Sequence, residues 1–128
     1  MLRRIVIVGM LVAIAGCSRR DRELTQHSRT VVSLAASTTA IGEGWLAGSL
    51  SGTFTQTALA RTFELLEEDR RMLATSPRQR IDPRAEKIAE TGEELSRILV
   101  RLAEAVGTAD AAAVRAQLAE ARQLAAQS

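Results

Sequence analysis

The chain of 128 residues contains one cysteine, one histidine, two prolines and no tyrosine, and its aromatic content is 2%. Each scarcity excludes something. Cys17 alone cannot close an intrachain disulfide, so the domain must hold by packing. His27 alone, without any tyrosine, leaves few bases for a nucleophilic triad. No Glu-x-x-His pair occurs, so the acids at 64–69 and 86–94 lack the inward ligands of a di-metal carboxylate bundle. No glycine-rich phosphate loop follows a strand pattern, and no Gly-x-Ser-x-Gly elbow is present. The sequence therefore predicts no enzyme, no metal site and no resident cofactor. With only Trp45, Phe54 and Phe63 as aromatics, the core must be built of Ala, Leu and Val. Such helices approach closely, toward the low end of the roughly 8–10 Å range.

The first 17 residues are the most specific part of the chain. Met1-Leu2-Arg3-Arg4 precedes an apolar run from Ile5 to Ala15, which closes on Ile14-Ala15-Gly16-Cys17. A charged start, a short apolar stretch and small residues before a cut site form an export signal. The run covers roughly 16 Å of a hydrocarbon core about 30 Å thick, too little for a span. Its last four residues resemble the lipobox of bacterial lipoproteins. The resemblance implies cleavage before Cys17, a thioether-linked diacylglycerol on its sulfur and acylation of its new amine. Three acyl chains would make release from the membrane negligible. It further implies that residues 1–16 are a signal peptide; the residues that follow then read as a lipidated polar tether over 17–23 and a helical domain over 24–128. In Gram-negative lipoproteins the residue after the cysteine influences sorting, and Asp there favours the inner membrane. Ser18 therefore implies the inner leaflet of the outer membrane, facing the periplasm, with the outer face of the inner membrane as the alternative.

Loss of Arg3 and Arg4 with the signal leaves 15 basic residues against 15 acidic ones. A mature net charge near zero gives no reason to expect nucleic acid as a partner. The tether, Ser18-Arg19-Arg20-Asp21-Arg22-Glu23, is a solvated linker whose arginines can also lie against anionic head groups, at about 1 kcal/mol each.

Beyond the tether, apolar residues recur at helical spacing, and the composition favours Ala, Leu, Arg, Glu and Gln. Helix one is predicted from Leu24 to Ala47, with a stripe of Leu24, Val31, Leu34, Thr38, Ile41 and Trp45. The hydroxyls of Thr38 and Thr39 are expected to return to carbonyls one turn back. Gly48 suits the left-handed position past a helix end, with Leu50 folding back, and Ser51 or Thr53 can cap the next helix. Helix two is predicted over 54–74, burying Leu59, Phe63, Leu66 and Leu73, with Leu65 and Met72 widening the face. Ser76-Pro77 and Asp82-Pro83 are each a cap followed by proline. Helix three is predicted over 83–106, with Ala85, Ile88, Gly92, Leu95, Leu99, Leu102 and Val106 inward, and Ile81 extending the register. Gly107 is expected to end it and Thr108 to cap helix four, over 109–126. Glu67–Arg71 and Glu93–Arg97 have the spacing of helix-stabilising pairs.

Four similar helices on short links predict an all-α fold, an up-down antiparallel four-helix bundle or pair of helical hairpins. The alternative is one rod over residues 22–75, since Ala40, Gly44, Gly48 and Gly52 form a small-residue ridge, with two helices packed on it. Function is expected to be that of a membrane-anchored, non-enzymatic envelope lipoprotein binding an envelope protein or itself through helix faces. The alternative is a bundle that holds an apolar ligand or haem near His27, Trp45 and Met72. On a hairpin folded about residue 50, Met72 comes level with His27, and the two could serve as axial haem ligands.

Overall fold

A computed structural model describes residues 2–77 and 81–128, with side chains at 19, 21–77 and 81–128. Four helices follow one another: α1 (Leu2–Leu46), α2 (Gly52–Ala74), α3 (Pro83–Gly107) and α4 (Ala111–Gln127). The described residues contain no strand. Each helix packs against the next, α4 returns to α1, and α1 also touches α3 across the bundle. This is the up-down four-helix arrangement, with α1 and α3 on the short diagonal.

The rod is overturned at Gly48. Its φ of +74° breaks the helix, and Ser49 N–H bonds Gly44 C=O at 2.9 Å while Gly48 N–H bonds Trp45 C=O at 3.0 Å. These two bonds are the Schellman closure of a helix end. Leu50 folds back on Gly44, where a Cβ would meet its Cδ1 at 2.7 Å. Ser51 then caps α2 by accepting from Phe54 N–H. Thr53 is not the cap, and Gln56 instead reaches across to donate to Ala103 C=O at 2.7 Å. In the second link only Asp82-Pro83 starts a helix, with Asp82 accepting from Arg84 N–H; Ser76-Pro77 lies in the turn.

The third link differs from expectation. Gly107 is the last residue of α3, Thr108 is its C-cap, and the left-handed residue is Ala109, at φ +53°. Asp110 N–H bonds Ala105 C=O and Ala109 N–H bonds Val106 C=O, the same Schellman pattern. Asp110, rather than Thr108, caps α4 through Ala113 N–H. The chain thus needs two further residues to reverse, and α4 begins at Ala111.

The core joins Val31, Leu34 and Ala35 of α1 to Leu59, Leu66, Leu95, Leu99, Leu102, Val106, Val114 and Leu118, with Ile41, Trp45 and Phe63 packed against it. A second cluster, Leu24, Leu73 and Ala85, closes the end nearest the amino terminus. Three threonines lie inside, and their hydroxyls are satisfied locally. Thr38 donates to Leu34 C=O at 2.7 Å, Thr55 to Ser51 C=O at 2.7 Å and Thr62 to Ala58 C=O at 2.8 Å. Thr39 likewise returns to Ala35 C=O. Three apolar expectations fail: Leu65, Met72 and Ile81 are exposed, Ile81 at 80%. Ile81 lies in the link before Asp82, so no helical register carries it inward.

Candidate functional site

The segment expected as a tether continues α1 in its described part, and Asp21 meets Arg84 of α3 at 3.0 Å. Hydrogen bonds to Asp82, then to Asp21, raise the Arg84 pKa above its ordinary value. Cys17, Ser18 and Arg20 lie outside the residues whose side chains are described, as do Arg78 and Arg80 of the second link.

His27, Trp45 and Met72 do not converge. His27 Nδ1 lies 2.9 Å from Asp69 Oδ1 across the α1–α2 seam, both side chains largely buried. A carboxylate only accepts, so Nδ1–H donates. The hairpin pivots nearer residue 48 than 50, which brings Asp69 rather than Met72 to the level of His27. Met72 points outward at 56% exposure. Trp45 packs on the core near the opposite end of α1, 18 positions from His27, or about 27 Å. The His27–Asp69 pair could have been sought from the sequence, because Asp69 falls one turn from Leu66 and Leu73 on the buried side of α2.

Among the described residues no three His, Cys, Asp or Glu side chains group as a metal site. Glu67 pairs with Arg70 at 2.6 Å, not with Arg71, and also accepts from Ser96 Oγ at 3.0 Å. Arg71 is turned to the Glu67 carbonyl instead. Arg97 bonds both Glu93 and Glu94, as the spacing predicts for the first. Glu64, Glu67, Glu93 and Glu94 therefore serve ion pairs along their helices, and Asp21 and Glu43 pair between helices with Arg84 and Arg122.

Two surface features remain. One is the outer face of the α1–α2 hairpin. Phe54, Ala58, Leu65 and Met72 fall within about 40° of arc on α2, and Phe54, Leu65 and Met72 are exposed at 58%, 38% and 56%. Asp69, which faces α1, is one turn from both Leu65 and Met72, so this stripe runs along the α1 side of α2. On α1, Ser33, Ser37, Ala40 and Gly44 repeat at steps of four and three, the first three exposed and Gly44 half-buried. Between Arg29 and Arg61 the only charged residue is Glu43. The other feature is a groove of about 380 Å³ between residues 24–31 of α1 and the start of α3, beside the end of α4.

No protein family, curated protein or solved structure matches this chain. Among the described residues no helix is long and apolar enough to cross a membrane.

Proposed function

We propose that this protein is a lipid-anchored lipoprotein of the bacterial envelope that acts without catalysis. Cys17, processed and acylated, holds it to the periplasmic side of the outer membrane. Its bundle presents the α1–α2 face to another envelope protein or to a second copy. The observation that carries this reading is that face: large apolar side chains on α2 project into solvent beside a flank of serine, alanine and glycine. Single exposed apolar residues are ordinary, but an aligned series beside a flank whose only charge is Glu43 is the usual form of an interaction site, and the exposed Arg61 and Glu68 set among its members add polar contacts to it. Knobs beside small residues suit helix-on-helix packing, in which side chains of one helix enter gaps of another. A ligand bundle built on His27, Trp45 and Met72 is less favoured, since His27 is held by Asp69, Met72 faces solvent and Trp45 packs on the core near the other end of α1.

Two measurements test the proposal. Fractionated envelopes should hold the native protein in the membrane pellet and release Cys17→Ala to the soluble periplasm; membrane retention of that variant would remove the anchor. A photo-crosslinker placed at position 65 should give one discrete adduct in intact envelopes. Phe54→Ser/Met72→Ser should abolish the adduct while helicity stays unchanged. The same adduct from position 115, exposed on α4, would sink the assignment of the face.

A further inference from the structure

The groove beside the end of α4 has a chemistry of its own. It lies in the seam between α1 and α3, beside Gln127 and Ser128 at the end of α4. The floor of the seam is apolar, made by Leu24, Val31 and Ile88, and the rim carries Arg29, Arg84 and Lys87. No Asp or Glu side chain lines it. Arg84 is committed to Asp82 and Asp21. Arg29 and Lys87 have no carboxylate partner among the described residues, and both are exposed. A carboxylate at Ser128, which closes the far end, would still leave the balance positive. Two unpaired cations above an apolar floor complement a molecule that joins an anion to hydrocarbon. The volume lies within the range of small-molecule sites, roughly 300–1,000 Å³.

Position along the chain narrows the occupant. Leu24 follows Cys17 by seven positions, so the groove opens at the end of the bundle nearest the acylation site. That placement rests on the lipoprotein reading; the chemistry of the groove does not. We propose that the groove binds one anionic phospholipid of the host membrane. Its phosphate sits between Arg29 and Lys87, held by charge-assisted hydrogen bonds. The first methylenes of its chains lie on Leu24, Val31 and Ile88. Such a contact fixes the tilt of the bundle over the bilayer and so the direction in which the α1–α2 face points.

The test uses the full chain in an uncharged detergent, titrated with dihexanoyl phosphatidylglycerol, dihexanoyl phosphatidylcholine or inorganic phosphate and followed by calorimetry and amide chemical shifts. Saturable one-to-one binding of the phosphatidylglycerol is expected, with shifts centred on residues 24–31 and 84–91. The phosphatidylcholine should bind at least tenfold more weakly. Arg29→Gln/Lys87→Gln should weaken phosphatidylglycerol about thirtyfold, roughly fivefold for each cation removed, with an unchanged Tm. Ile88→Ser should weaken the lipid but not inorganic phosphate. Equal affinity for the two lipids, or phosphatidylglycerol binding that survives the double substitution, overturns the site. Inorganic phosphate binding as tightly as the lipid also overturns it, by making free phosphate the ligand. The mass of the same sample reports cleavage and acylation at Cys17, so an unmodified chain would sink the anchor while leaving the titration to decide the groove.

Discussion

Asp69 places a carboxylate where water scarcely reaches, and His27 makes that tolerable. The residue is 7% exposed, and across the seam its carboxylate meets the His27 ring. A buried acceptor that loses its donor bears the desolvation cost outright. His27→Leu should therefore cost about 2 kcal/mol. Replacing both partners, in His27→Leu/Asp69→Leu, should cost less than His27→Leu alone, as replaced buried pairs often do. Urea unfolding of the three proteins checks the order, and a double variant weaker than the single would contradict it. Glycines give a second contrast at this scale. A Cβ on Gly42 would meet Leu118 Cδ2 at 2.5 Å, whereas one on Gly52 would meet nothing within 4 Å. Leu118 is fully buried and has little room to move. Overpacking of about 1–3 kcal/mol should outweigh the roughly 1 kcal/mol of helix propensity gained, so Gly42→Ala lowers stability. Gly52→Ala should raise it by about 0.5 kcal/mol. Thermal melts that move both variants in one direction would refute the packing argument.

α1 and α3 end by one device used with two different residues. The link after α1 puts Gly48 in the left-handed position, where glycine has no Cβ to clash. The link after α3 puts Ala109 there, at φ +53°, while Gly107 stays in the helix. An L side chain in that region costs about 1–2 kcal/mol. Ala109→Gly should accordingly stabilise the protein by about 1 kcal/mol, read as a higher urea midpoint at constant m-value. This link also shows where sequence reading stops. Gly107 was the natural stop signal, yet the strained position lies two residues on, because Asp110 N–H reaches back to the Ala105 carbonyl. Backbone hydrogen bonding selected the end of the helix, and residue preference was overridden. At the second link local chemistry agreed with the outcome at one of two places: proline at 83 behind a capping Asp82 starts α3, whereas Ser76-Pro77 carries the same pairing and lies in the turn. On α2, Leu65 and Met72 read as buried from spacing alone. Their position on the outer flank depends on how α2 is turned toward α1 and α3, and periodicity does not contain that.

The whole molecule rests on one continuous aliphatic core with a small annex at the amino-terminal end. Leu102 is at its centre, fully buried in the most regular stripe of the chain. Leu102→Ala should cost about 2–5 kcal/mol. Domains of this size have only about 5–15 kcal/mol in total. A fall in Tm of more than about 10 °C is therefore expected, since each kcal/mol is worth roughly 4–8 °C at this size. Scanning calorimetry of the variant decides it. At the same scale, the approach of α1, α3 and α4 forms the cationic groove, and the turn of the hairpin sets which faces stay bare. Neither could be read from any one helix.

The information legible in the chain alone is local and periodic. Helical composition, four-three spacing, a glycine and a proline at the links and the absence of strand patterning lead to four helices without knowledge of their neighbours, because each depends on contacts within a few residues. Packing between helices chose which of two plausible faces of α2 went inward, set His27 against Asp69 rather than Met72, and brought Arg29 and Lys87 to one groove. Those outcomes depend on the rotation and level of one helix against another, fixed by close packing between residues far apart in the chain.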